Sequence, residues 1–308
     1  MASAEISTLV ESKMYVDEIS FRKTLLFHLK QNAKPKTLLK LMQIAKYFCF
    51  DEFPFFVVKE LAFTEQKWGY KELMDSDEEE EGYYYESFYP GDAPGKFWIT
   101  ESLEFEFEDY PHDFLLVLPQ IVVCDVKKLN MHNQKITLKE FQFLTAGPAI
   151  SVELYGTTIK NENDENVALE NILKCLPSAQ DFVYGFNDES ALTMTSESTI
   201  NVIEILKTFN LKLFVLHEIP ETFNFNAFSK ILGKNVDKKP RTSYRLFFND
   251  HISAEYQQQL QAYVDEMAKD KHFISVYPLI LKFPIQTKKE FKDLFDAVYF
   301  HFYQCNSK

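Results

Sequence analysis

Glycine is scarce, 8 in 308 residues, which argues against collagen-like chains and against folds built on Gly-rich loops. Neither Gly-x-Gly-x-x-Gly, Gly-x-Ser-x-Gly nor His-Glu-x-x-His occurs, so the motifs of dinucleotide binding, nucleophile-elbow hydrolysis and zinc proteolysis are missing. The four cysteines, Cys49, Cys124, Cys175 and Cys305, are far apart and form no Cys-x-x-Cys pair; they read as reduced thiols, with no metal site or disulfide framework. No apolar run approaches the roughly 18 residues of a membrane-spanning helix. The best candidate, between Phe114 and Val126, is broken by Pro119, Gln120 and Asp125. Asn-x-Ser/Thr is absent, and MASAEISTLVES lacks the basic start and apolar centre of a secretory signal. The expectation is a cytoplasmic or nuclear chain, not secreted, that touches no membrane.

Basic residues are also outnumbered, 33 against 46 acids. The excess is local: between Glu72 and Asp109 there are 14 acids and one base, Lys96, which leaves 32 of each sign elsewhere. An acidic chain without a Lys/Arg stripe repels phosphate backbones, so no nucleic-acid partner is expected. The run Asp75–Glu81 (DSDEEEE) reads as a solvated loop. Gly91-Asp-Ala-Pro-Gly95-Lys96-Phe97 approaches a phosphate-binding loop but lacks one residue between its glycines, and Phe97 stands where a magnesium-holding hydroxyl belongs. The seven histidines are scattered, and Glu104, Glu106 and Glu108 read as solvent-facing charge. No catalytic residue, cofactor or metal is assigned, and the chain is expected not to be an enzyme.

Aromatic residues are abundant, with 30 Phe and 16 Tyr. Leu103-Glu-Phe-Glu-Phe-Glu-Asp109 alternates with the period of a strand that has one face in water. Short strand patterns recur near Leu129, Leu154, Val183, Phe214 and Leu246, at steps of 24, 25, 29, 31 and 32 residues from Phe105. Amphipathic helical patterns fall between several of them, for instance Leu169, Ile172, Leu173 and Leu176, then Val202, Ile205, Leu206 and Phe209. A strand–helix unit repeated at this period implies parallel strands with crossover helices. The predicted fold class is therefore α/β: a βα solenoid with a concave parallel sheet and a convex helical back, each unit hiding its neighbour's apolar side. Outward alternation makes Lys128, Asn130, Glu153, Tyr155, Lys212 and Arg245 candidate partner-binding positions for a target protein. A register error of one residue would exchange the two faces.

Upstream, Leu25, Leu26 and Leu29 form one helical edge, and Leu38, Leu41, Met42 and Ala45 form another that starts near Pro35. The stretch Ile19–Phe48 resembles an F-box. Leu25, Leu26 and Leu29 match its first helix and Pro35–Leu38 its turn, while Leu39, Leu41, Met42 and Ala45 match the second helix. Tyr47 or Phe48 takes the closing aromatic place. Ile19-Ser20 stands where the family has Leu-Pro, and the turn KQNAKPKT is longer than usual. Together with Tyr47–Pro54, Lys135–Thr145, Thr157–Asn161 and Leu169–Pro177, the chain is similar to a nematode-expanded family of F-box-like proteins. The resemblance implies an F-box-like helical module at 15–61, an acidic linker at 62–97 and a leucine-rich-repeat-like βα domain at 98–308. It further implies docking on a Skp-type adaptor of a cullin ubiquitin ligase, with Leu25, Leu26, Leu29, Pro35, Leu38, Leu39, Leu41, Met42 and Tyr47 as adaptor-binding positions. A repeat scaffold or decoy that binds a protein partner without any ubiquitin link is the alternative.

Overall fold

The computed structural model describes residue 37 and residues 56–64, 67–72, 86–93, 95–105, 113–232, 242–269, 279–284 and 286. These residues form an α/β structure around a mostly parallel mixed sheet. Its strands are β1 (Phe56–Thr64), β2 (Lys67–Glu72), β3 (Glu86–Phe88), β4 (Phe97–Phe105), β5 (Ile121–Cys124), β6 (Lys128–His132), β8 (Ser151–Tyr155), β10 (Asp181–Gly185), β11 (Leu213–Ile219), β12 (Ser243–Phe248) and β13 (Leu279–Lys282). From β4 onward, β6, β8, β10, β11, β12 and β13 lie side by side in chain order, every pair parallel. Two further strands, β7 (Lys135–Thr137) and β9 (Thr158–Lys160), make a small parallel sheet of their own. The helices are α1 (Asp113–Val117), α2 (Leu138–Leu144), α3 (Leu169–Lys174), α4 (Asp188–Ala191), α5 (Ser196–Leu206), α6 (Phe225–Leu232) and α7 (Ala254–Lys269).

The recurring strand segments read from the sequence coincide with β6, β8, β10, β11 and β12, and the two helical patterns named above with α3 and α5. The stretch expected to end the helical module and open a linker instead supplies sheet. β1 pairs parallel with β4, and β2 and β3 extend that edge antiparallel. The physical reason is aromatic packing: Phe63 stacks on Phe105 at 4.8 Å, and Trp68 lies 5.6 Å from the same ring.

Strand periodicity sets the core. Alternate residues of adjacent strands stack in rows: Phe182 beside Phe214 beside Tyr244, then Tyr184 beside Leu216 beside Leu246. Phe228 of α6 closes the first row, 6.3 Å from Phe214 and 5.6 Å from Tyr244. Val202 and Leu206 of α5 and Leu260 and Val264 of α7 join the same buried cluster. Each such side chain contributes about 1.5–3 kcal/mol by leaving water, so these rows dominate the strand–helix contact.

Side-chain caps steer the chain from strand to helix. Thr137 Oγ1 accepts from the Glu140 N–H (3.2 Å) while the Thr137 N–H donates to the Glu140 carboxylate (2.6 Å), a reciprocal box at the start of α2. Asn187 accepts from Ser190 N before α4, and Thr195 accepts from Ser198 N before α5. The turn after each strand repeats as well: the amides of Asn133, Gly156 and Phe186 donate to Tyr155, Gly185 and His217 on the next strand. Gly156 has φ +61°, and a Cβ there would lie 2.0 Å from Asn133 Oδ1. Gly156→Ala is expected to lower unfolding free energy in urea by about 1–2 kcal/mol, the cost of a left-handed L-residue. Gly91, with open space around it, should accept Ala with little change.

Candidate functional site

The sheet's second face carries the site. The residues that alternate with the buried rows are half-buried or exposed along much of the sheet, among them Glu104, Lys128, Glu153, Leu213, Arg245 and Phe247. Parallel register places Glu104, Asn130, Glu153, Val183, Val215 and Arg245 in one row across six strands. A second row runs His132, Tyr155, Gly185 and His217.

Charges on β4 to β8 are matched across strands. Lys128 Nζ lies 3.0 Å from Glu104 Oε1, and His132 Nε2 lies 3.6 Å from Glu153 Oε1. The latter distance is an ion pair when the imidazole is protonated, and too long for a hydrogen bond. The His132 imidazole holds the Glu153 carboxyl below its ordinary value, with Lys128 and His217 adding and burial opposing.

The ring row depends on a missing side chain. Tyr155 reaches across Gly185 to His217, ring centroids 5.5 Å apart, because a Cβ on Gly185 would stand 2.6 Å from Tyr155 Cδ2. His132 lies 5.7 Å from Tyr155, and His217 stacks flat on Phe247 at 4.6 Å with 14° between planes. Burial is the main reason the His217 imidazole is displaced below its ordinary value; Lys282 and Arg245 add to this, and Glu153 opposes.

Of the candidate partner positions, Lys128, Asn130, Glu153, Tyr155 and Arg245 share this face. Asn130 is 4% exposed, so it contributes to the sheet interior more than to a surface. Lys212 precedes β11 and has the alternation of buried Phe214, not of His217; it is exposed at the strand's start. The nine adaptor positions, Leu25, Leu26, Leu29, Pro35, Leu38, Leu39, Leu41, Met42 and Tyr47, lie outside the described residues. Sequence reasoning missed His132, His217, Phe247 and Lys282. The signal was present: aligning KLNMH, SVELY, DFVYG and LFVLH on their buried residues puts His132, Tyr155, Gly185 and His217 in one column.

A cleft of about 300 Å³ opens beyond the C-terminal ends of β10, β11 and β12, between Asp188, Glu218, Glu221 and His251. Two of its acids already hold loops: Glu221 accepts from the Ser253 N–H and hydroxyl at 2.7 and 2.6 Å, and Glu218 accepts from Asn249 Nδ2 at 2.9 Å. Among the described residues no group of three His, Cys, Asp or Glu side chains is arranged to hold a metal, and no helix is long and apolar enough to cross a membrane. Cys124 is buried and its thiol is pushed up to about 12, chiefly by desolvation, which removes its nucleophilic form at neutral pH.

No protein-family model matches the chain, and neither a curated protein nor a solved structure does. The fold and face described above therefore define its class: an α/β protein with a sequentially ordered, mostly parallel sheet.

The two displaced groups fix a pH dependence. His217, depressed when folded, binds fewer protons in the native than in the unfolded state just below the ordinary histidine value of about 6.5, so stability declines as pH falls through that window. Glu153, also depressed, contributes above its unfolded value, and that contribution is lost as pH falls through its folded value. Urea unfolding between about pH 7.5 and about pH 5.5 should show falling stability, with a shallower slope in His217→Gln. An unchanged slope in that variant would contradict the burial of His217 as its source.

Proposed function

We propose that this chain is a non-enzymatic protein-interaction subunit, an F-box-like substrate-recognition component of a cullin-type ubiquitin ligase, working in the cytoplasm or nucleus. Its N-terminal helices dock a Skp-type adaptor, and a leucine-rich-repeat-like βα solenoid presents the polar and aromatic face of the sheet to a target protein. The observation that carries this reading is the ordering of β6, β8, β10, β11 and β12 as consecutive parallel neighbours, with one half-exposed face of ion pairs and rings. Such a face suits recognition of a protein: aromatic and Arg anchors supply most of the energy of an interface, and flanking polar groups supply orientation. Ser102, Lys128, Ser151 and Asp181 continue it toward the N-terminal ends of the strands.

The F-box part rests on the resemblance of Ile19–Phe48. A Skp-type adaptor mixed with the full chain should be retained in a pull-down, and Leu38→Asp with Leu41→Asp should weaken retention at least about tenfold, or about 1.4 kcal/mol. Well-folded wild-type protein that retains no adaptor would reject the ligase role and leave the scaffold or decoy. Deletion of residues 1–50 then tells whether the head serves as a cap for the repeats, because loss of a cap lowers the melting temperature of the whole array.

A further inference from the structure

Carboxylates on the sheet face have basic neighbours at one end, and cations at the other end lack acidic ones. Glu104 answers Lys128, and Glu153 answers His132, on β4, β6 and β8. On β12 and β13 the cations stand without such partners: among the described residues no carboxylate lies within ion-pair distance of Arg245 or Lys282, and Arg245 Nε is buried with no hydrogen-bond partner. The register puts Lys282 beside Phe247, and Arg245 between Val215 and Ile280. His217 lies flat on Phe247 and within the field of both cations. A buried guanidinium N–H that donates to nothing costs about 1–3 kcal/mol, more because the group is charged, and this in a chain whose net charge is −13.

Resting on the recognition role proposed above, we infer that Arg245, Lys282 and the His217–Phe247 stack form a subsite for an unmodified acidic segment of a partner protein, its carboxylates paired to the two cations and an apolar side chain laid over half-buried Val183. A planar guanidinium takes a carboxylate in bidentate fashion, and the flat imidazole–phenyl stack offers an apolar shelf beside it.

The chain's own acidic run is not that segment. It belongs to residues 73–85, which join β2 to β3 at one edge of the sheet, whereas β12 is seven strand spacings from β2 in the sheet order. At ~4.8 Å per spacing the separation is about 34 Å. Thirteen residues that must go out and return reach about 22 Å.

The test uses the full chain and a fluorescein-labelled peptide of repeating Glu-Phe-Glu-Gly units, with a Lys-for-Glu peptide as counterpart, read by anisotropy. The acidic peptide should bind, the basic one should not, and added salt should weaken the complex, because ion pairs on a half-exposed face are screened. Arg245→Gln with Lys282→Gln should weaken binding at least about tenfold. Lys282→Gln alone, at an exposed position, should weaken it measurably if the double variant fails to fold, and Lys139→Gln on the surface of α2 should leave it unchanged. Absence of binding by the acidic peptide, or binding that ignores both substitutions, overturns the inference. So does low-salt self-association of the wild type that the double variant abolishes, since the occupant is then a second copy's acidic run. Adaptor retention through Leu38 and Leu41 is a separate readout: if it holds while the acidic peptide fails, the subsite is wrong and the recognition role stands.

Discussion

Parallel in-register pairing of neighbouring strands is the constraint on which the rest of this structure depends. Because side chains alternate across a strand, one register choice sends Leu129, Val152, Phe182, Phe214 and Tyr244 to the helices and leaves Lys128, Glu153, Val183, Val215 and Arg245 on the other side. A single-residue slip would bury a lysine, a glutamate and an arginine against phenylalanines. The helical side therefore holds the register by excluding the alternative, with the cross-strand rings of Phe182, Phe214 and Tyr244 fixing neighbours to one another.

That register also builds the sheet's second face. His132 and His217 are 85 positions apart in the chain, yet they flank Tyr155 in one row because β6, β8, β10 and β11 are consecutive neighbours. Gly185 completes the row by contributing no side chain, which lets Tyr155 cross the intervening strand. Glu104 and Glu153 face Lys128 and His132 across β4 to β8, whereas among the described residues Arg245 on β12 and Lys282 on β13 face no carboxylate.

How much of this was legible varied with length and periodicity. Strands near Leu129, Leu154, Val183, Phe214 and Leu246 could be read because each alternates over several residues and is separated from the next by a segment long enough to cross back. β7 and β9 are three residues each, too short for any period to register. β1 is a nearly continuous apolar run that resembles a docking segment, and only its pairing with β4 and β2 shows it to be sheet. Of the face, the polar alternation at Lys128, Glu153, Tyr155 and Arg245 was readable strand by strand. The ring row was not, because it exists only across strands, and Lys212 was read one residue out of register: its alternation follows Phe214. Leu25, Leu26, Leu29, Leu38, Leu39 and Leu41 lie outside the described residues and carry the adaptor reading on sequence resemblance alone.

Register and direction can be measured together by thiol bridging in a chain whose four native cysteines are replaced by alanine. Asp181→Cys pairs with Leu213→Cys if β10 and β11 are parallel and aligned as described, and a short thiol-bridging reagent such as dibromobimane should join them and leave the combination of Asp181→Cys with His217→Cys open. Bridging of Asp181→Cys to His217→Cys in place of Leu213→Cys would mean an antiparallel pair, and the shared face would not exist.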